Sequence, residues 1–256
     1  MIRTLRRFFR LFRLILHTVV GLFMAVAAAL SARPEVWSQR WFGGLLNILN
    51  LRLYSQGERD MAPALVAGNH QSWLDIAVLA TLKPVVFVSK AEIRQWPLIG
   101  WLSRSADTLF IERGGHGTKA LNQDITTMLA GGRCVVVFPE GTTTRGPGVR
   151  RFQPRLFAGA IATGAPILPF ALRYREACAP YVDEQTLVGN LWNLLAEETL
   201  HVEVHFGPPL DCGESRDAIA QATQQWAESA LACPPRWTTE APIGAPSARV
   251  VEALKP

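Results

Sequence analysis

Formal charge is missing from Leu14 to Ala32, a run of nineteen positions in which His17, Thr18 and Ser31 are the polar side chains. A run of that length can cross a bilayer as a helix. Pro34 interrupts the pattern, and Val36, Trp37, Trp41, Phe42, Leu45, Leu46, Ile48 and Leu49 form a second apolar stretch. Arginines flank both sides: Arg3, Arg6, Arg7, Arg10 and Arg13 before the run, Arg33 and Arg40 after it. Three readings fit. The basic start and the small residues Ala28, Ala29 and Ala32 suit a signal peptide. A single spanning helix would hold the N-terminus in the cytosol and place the rest outside. Two helices dipping into one leaflet and returning to the same face would keep arginines and tryptophans at the headgroups. Basic residues at both ends favour this hairpin.

Further along, short apolar runs alternate with helical patterns. Ala64–Ala67, Val85–Ser89, Thr108–Ile111, Cys134–Phe138, Ile167–Tyr174 and Val202–Phe206 are rich in Val, Ile and Phe and bounded by turn residues, which predicts strands. Ser72–Leu82, Thr118–Ala130, Arg151–Thr163, Gln185–Thr199 and Ser215–Ala232 read as helices, with Gly131 and Gly164 where helix C-terminal glycines belong. The alternation predicts an α/β fold: a mixed, largely buried sheet flanked by helices, behind a membrane-associated N-terminal helical hairpin. The expected divisions are 1–55 for the membrane-associated helices, 56–211 for the α/β domain, and 212–256 for a C-terminal helix and loose tail. Pro, Ala and Ser dominate that tail.

Charge sharpens the picture. The chain is net +5. Eight arginines against Glu35 make the first 55 residues +7, so the other 201 are net −2. A basic character this local argues against a nucleic-acid surface and suits an anionic membrane face, where each nearby Arg contributes about 1 kcal/mol. Mean hydropathy is +0.14, high for a soluble enzyme. Cys134, Cys178, Cys212 and Cys233 form no CxxC pair, so neither a zinc site nor a disulfide framework is indicated. A reducing, cytosol-facing location fits them.

The chemistry concentrates in Gly68-Asn69-His70-Gln71-Ser72-Trp73-Leu74-Asp75, which follows a strand and opens a helix. Histidine suits general-base work near neutral pH, and a carboxylate can hold its second nitrogen. Within one continuous helix a five-residue separation would turn Asp75 about 140° away from His70. The two can meet if His70 sits in the turn before the helix. Ser72-x-x-Asp75 resembles a capping box that provides this, with Ser72 as N-cap and Asp75 in the first turn. Alone, the same residues would be an ordinary capped helix.

Other segments add weight. Phe138-Pro139-Glu140-Gly141-Thr142-Thr143-Thr144-Arg145 follows a strand and suits an oxyanion or phosphate site. Leu109-Phe110-Ile111-Glu112-Arg113 places Arg113 at another strand end, and Ala165-Pro166-Ile167-Leu168-Pro169-Phe170 opens a buried strand. From Asn69 through Tyr174 these four blocks resemble the phospholipid/glycerol acyltransferase family, typified by bacterial 1-acylglycerol-3-phosphate acyltransferases. The resemblance implies His70 as catalytic base, Asp75 as its orienting partner, and Glu140, Gly141 and Thr142 in the acceptor site. It matches Arg113 to a substrate-binding arginine and Lys90 to a phosphate-binding basic position, and a two-helix membrane motif is also a family feature. The implied reaction moves an acyl group from acyl-CoA or acyl carrier protein to 1-acylglycerol-3-phosphate, giving phosphatidate at the cytoplasmic face of a bacterial inner membrane, with no metal or cofactor. One position departs. Family members that take a phosphate acceptor carry arginine where Thr143 stands, and Arg145 comes two residues later. Such variants resemble lyso-ornithine lipid or other lysophospholipid acyltransferases, which is the alternative.

Two other classes are weaker. No G-x-S-x-G occurs, which removes the usual hydrolase nucleophile elbow. Gly115-His116-Gly117-Thr118-Lys119-Ala120 fits G-x-G-x-x-A, but the acidic residue of a dinucleotide site is missing. A non-enzymatic membrane scaffold would tolerate loss of His70.

Overall fold

Alternation along the strands builds the molecule in three layers. The computed structural model describes residues 1–29, 34–58, 62–91, 108–111, 115–182, 185–213, 215–238 and 242–243. Its strands are β1 (Leu51–Gln56), β2 (Leu65–Gly68), β3 (Val86–Lys90), β4 (Leu109–Ile111), β5 (Val135–Val137), β6 (Ile167–Tyr174) and β7 (Leu200–Phe206). They form one sheet in the order β1-β7-β6-β2-β5-β3-β4. Neighbours run parallel except β6 and β7, which are antiparallel. The helices are α1 (Ile2–Ala29), α2 (Pro34–Leu49), α3 (Leu74–Leu82), α4 (Gly115–Ala130), α5 (Ala158–Thr163), α6 (Leu187–Leu194) and α7 (Arg216–Ala232).

Because side chains alternate across a strand, Leu65 and Ala67 of β2 face one core and Val66 the other. The same division sends Val135 and Val137 one way and Val136 the other. One core gathers α4 and α7 through Leu121, Ile125, Leu129, Ile219 and Ala227. The other gathers α2 and α3 through Leu45, Leu49, Leu74, Val78 and Leu79. Covering both faces explains the continuous apolar runs of β2 and β5. The mixed sheet flanked by helices is the architecture the sequence predicts. The boundary expected after residue 55 falls at the end of β1, a strand of this sheet, and α7 covers the same core as α4.

Several boundaries differ from expectation. β1 was hidden behind the apolar stretch of α2; it is an edge strand paired in register with β7, Leu51 opposite Leu200. The helix expected over Arg151–Thr163 is a 3-10 turn at Pro154–Phe157 followed by the six-residue α5. Proline at 154 holds Gln153 extended, at φ −79° and ψ 110°, so no helix can begin earlier. After α4 the left-handed residue is Gly132, at φ 78°, rather than Gly131.

Packing, not only sequence, defines the first two helices. His17 Nε2 lies 2.8 Å from the carbonyl oxygen of Trp41, and the two rings stack. Small residues let the helices approach: a Cβ on Gly44 would stand 2.3 Å from His17 Cε1. The far side of α1 exposes Leu5, Phe8, Phe9, Phe12, Ile15, Leu16, Val19 and Phe23. No helix among the described residues is long and apolar enough to cross a membrane.

The arginines of α1 divide by role. Arg6 donates to the carbonyl of Ala196 at 2.8 Å, Arg7 to that of Trp192 at 3.1 Å, and Arg10 to those of Glu198 at 3.0 Å and Glu197. These carbonyls belong to the last turn of α6 and the residues after it, where unpaired acceptors and negative helix-end charge accumulate. Arg10 is buried, and burial, then Arg6 and Arg13, lowers its pKa from the usual arginine value. Three arginines that the sequence suggested for headgroups therefore serve the protein, while Arg3, Arg13 and Arg40 are exposed.

Candidate active site

The chain leaves the sheet at the carboxyl end of β2, between β5 and β6. Space there is short: a Cβ on Gly68 would stand 2.2 Å from the carbonyl oxygen of Phe170. Asn69 then replaces main-chain pairing with its amide. Its Nδ2 donates to the Leu172 carbonyl at 2.9 Å, and its Oδ1 accepts from the Leu172 N–H at 2.8 Å. Buried and doubly bonded, this clip fixes the departure point of the next residue, His70.

His70 lies in the turn before α3, as the spacing required. Its Nδ1 is 2.7 Å from Asp75 Oδ2. Asp75 is fully buried in the first turn of α3, and Oδ2 also accepts from the N–H groups of Gln71 at 2.8 Å and Ser72 at 3.0 Å. Its other oxygen, Oδ1, accepts from the Tyr174 hydroxyl at 2.7 Å. The expected capping box forms by half. Asp75 reaches back to the Ser72 N–H, but the Ser72 hydroxyl accepts from Leu74 at 3.3 Å, and α3 begins one residue later than a Ser72 cap would give.

An ionised carboxylate can only accept, so the proton between the pair belongs to Nδ1 and leaves Nε2 as the basic nitrogen. The His70 side chain is 19% exposed. The ring stacks on Phe138 with centroids 3.9 Å apart, and Phe138 meets Phe170 edge-on.

Glu140 is buried after β5. Oε1 accepts from the main-chain N–H of His70 at 2.9 Å and Oε2 from that of Arg150 at 3.2 Å. Burial raises its pKa above the usual carboxylate value, although both N–H groups and the nearby His70 and Arg150 oppose the rise. Gly141 turns the chain at φ 72°. Thr144 donates its N–H to the His70 carbonyl at 2.8 Å. The Thr143 hydroxyl donates to the Tyr181 carbonyl, and Tyr181 N–H bonds the Gln71 carbonyl at 2.8 Å. The β5 loop, the turn that carries His70 and the loop after β6 are thus laced together. Thr142 and Arg145 are exposed on the loop rim. The main chain of Lys90 ends β3 opposite Ile111 of β4. The side chain of Lys90, and Arg113 entirely, lie outside the described residues.

Sequence reasoning missed Tyr174, Phe138 and Asn69 as site components. Period two places Tyr174 on the face of Phe170 and Leu172, which is the face α3 covers. Only the pairing of β2 with β6, Gly68 opposite Phe170, brings that face to Asp75. The result is a nitrogen base at the carboxyl end of a parallel strand, oriented by a buried carboxylate and backed by an aromatic plate. Ligands in open α/β sheets bind at such strand ends.

The acyltransferase family model matches residues 51–173. The lyso-ornithine lipid O-acyltransferase of Pseudomonas aeruginosa is 39% identical over 197 residues, covering 75% of this chain and 76% of that protein. The 1-acyl-sn-glycerol-3-phosphate acyltransferase of Neisseria gonorrhoeae is 35% identical over 162 residues, covering 61% of this chain and 64% of that protein. Among solved structures, the 1-acyl-sn-glycerophosphate acyltransferase PlsC of Thermotoga maritima is similar with a TM-score of 0.70, 18% identity, and coverage of 90% of this chain and 94% of that one. At that identity the likeness concerns the fold.

Proposed function

The chain belongs to the acyltransferase family, and from that premise we propose that it transfers a fatty acyl group from a thioester to the hydroxyl of a lysolipid, with His70 as general base. The 2.7 Å contact between His70 Nδ1 and Asp75 Oδ2 carries this reading. Nε2 takes the proton of the acceptor hydroxyl as its oxygen bonds to the acyl carbon. The carbon–sulfur bond then breaks, and the leaving thiolate takes the proton back from His70. Asp75 holds the imidazole in the productive tautomer and stabilises the imidazolium. The donor is acyl-CoA or acyl carrier protein. Glu140 acts through the main chain, fixing the N–H groups of His70 and Arg150.

For the acceptor, Thr143 decides between two chemistries. A phosphomonoester wants several charge-assisted hydrogen bonds, each worth about 1.5–3 kcal/mol. Where phosphate-accepting members carry an arginine, this chain has a hydroxyl already committed to the Tyr181 carbonyl. An ornithine head group offers a carboxylate and an ammonium instead, and the Pseudomonas relative is named for that acceptor. Lyso-ornithine lipid is therefore the acceptor we favour. The second reading is 1-acylglycerol-3-phosphate, favoured by Lys90 and Arg113 and by the Neisseria relative.

The exposed apolar face of α1 supports membrane attachment through residues 1–55, lying in one leaflet at the cytoplasmic face of a bacterial inner membrane. The test is an acceptor panel: purified full-length protein, one acyl donor, and lyso-ornithine lipid, lysophosphatidate, glycerol 3-phosphate and lysophosphatidylethanolamine. Preference for lysophosphatidate would replace the first acceptor with the second. Undiminished turnover by folded His70→Ala protein would sink the mechanism itself.

A further inference from the structure

The two oxygens of Asp75 are served from different parts of the fold. Oδ2 takes three donors from its own turn: the His70 ring and the N–H groups of Gln71 and Ser72. Oδ1 faces away from the turn, and its partner among the described residues is the Tyr174 hydroxyl at 2.7 Å. Tyr174 ends β6, ninety-nine residues further along the chain. It lies one residue beyond the stretch that the family model matches. Burial, then the charge and hydrogen bond of Asp75, push the phenol well above its usual pKa of 10. The hydroxyl thus keeps its proton and donates it to Oδ1.

We propose that Tyr174 is a positioning residue for acyl transfer, setting through Asp75 both the orientation of His70 and its readiness to take the acceptor's proton. This rests on the reading of His70 as the base. A hydrogen bond to one carboxylate oxygen draws negative charge away from the other. With the phenol in place, Asp75 still orients the imidazole but attracts its proton less. Without the phenol, charge returns to Oδ2, the imidazolium is favoured, and the base stays occupied at pH values where the wild type is free. The other carboxylate against His70 is Glu140, with Arg150 beside it; neither touches Tyr174 among the contacts described. Orientation changes as well, since Oδ1 would be buried without its donor and the carboxylate would turn to find another.

The measurement is kcat and KM against pH for full-length protein with lyso-ornithine lipid and a single acyl-CoA in mixed micelles. It compares the wild type, Tyr174→Phe, and protein carrying 3-fluorotyrosine or 3,5-difluorotyrosine at position 174. For Tyr174→Phe, kcat falls about tenfold or more, the scale for residues that orient a catalytic ligand, while the KM for acyl-CoA holds. The acidic limb of its profile moves to higher pH. Fluorination makes the phenol a stronger donor, so the limb moves to lower pH, further with two fluorines than with one. A limb that stays fixed across the series, with or without a loss of rate, would overturn the proposal and leave Tyr174 as a packing residue. If Tyr174→Phe does not fold, the near-isosteric fluorotyrosines decide alone. His70→Ala separates the two levels of failure. A dead His70→Ala with a flat fluorotyrosine series refutes Tyr174 only; an active His70→Ala refutes the base beneath it.

Discussion

The imidazole of His70 lies face to face with the ring of Phe138, centroids 3.9 Å apart and planes 17° apart. With Nδ1 tied to Asp75, this contact restricts the orientation of the ring. Removing the plate should cost catalysis more than stability. For Phe138→Leu, which keeps an apolar side chain, kcat is expected to fall about tenfold or more, because small displacements of a reacting group are expensive. Acyl-donor KM and the thermal midpoint should change little.

His70→Ala is expected to lower turnover at least about 100-fold, the usual contribution of a general base. Asp75→Asn should also lower it, since an amide cannot stabilise the imidazolium, while leaving lipid binding nearly intact. Steady-state rates and liposome co-sedimentation on the same preparations separate the two effects.

Thr143→Arg introduces the residue that the family resemblance assigns to phosphate-accepting members. One added charge-assisted hydrogen bond of about 1.5–3 kcal/mol should raise the kcat/KM ratio of 1-acylglycerol-3-phosphate over lyso-ornithine lipid by about tenfold or more. Thr143→Val loses the bond to Tyr181 without adding charge, and its ratio should stay near that of the wild type. A ratio unmoved by the arginine would mean that position 143 does not choose the acceptor.

How far the site could be read in advance follows from distance along the chain. His70 and Asp75 are five residues apart, and turn geometry joins them, so the pair was legible. The strands of the central sheet were legible because their apolar runs are buried on both faces. Tyr174 and Asn69 were not, because their partners lie 99 and about as many residues away and depend on which strands pair. β1 escaped because an edge strand following an apolar helix has no boundary that composition can mark. The arginines of α1 misled for a similar reason: charge shows that a partner is wanted but not whether it is a phosphate head or a helix-end carbonyl.

Two faces of one helix should respond differently to substitution. Arg10→Ala removes contacts to the carbonyls of Glu197 and Glu198 and should destabilise the protein by about 1.5–3 kcal/mol in urea unfolding. Phe12→Asp, on the exposed face, should leave the urea midpoint almost unchanged and sharply reduce co-sedimentation with anionic liposomes. Equal loss of stability in both variants would contradict this division.

Glu140 and Glu203 should show opposite pH signatures. Burial holds Glu140 above its usual pKa of 4.5. The folded state then binds its proton more tightly, so its contribution to stability is full below pH 4.5 and is lost as pH rises through the folded value. Burial alone would raise Glu203 too, but hydrogen bonds from His205 and Arg173, the latter at 2.8 Å, bring it below 4.5. Its contribution is present above pH 4.5 and is lost as pH falls through the folded value. The stability gap between the wild type and Glu203→Gln should therefore shrink on acidification, while that for Glu140→Gln should grow. Unfolding free energies at pH 4 and pH 7 check both signs.

The contact of Arg10 with the carbonyl of Glu198 closes 188 residues, and this separation has a consequence in time. At about 5–20 residues per second, the ribosome completes α1 roughly eight to thirty-four seconds before it makes the carbonyls that α1 will hold. Throughout that interval Arg6, Arg7 and Arg10 are without the carbonyls they later hold, while α2, which packs against α1 through His17 and Trp41, is made soon after α1. The contacts of the arginine face therefore form only after most of the chain has been made, whereas those with α2 can form long before.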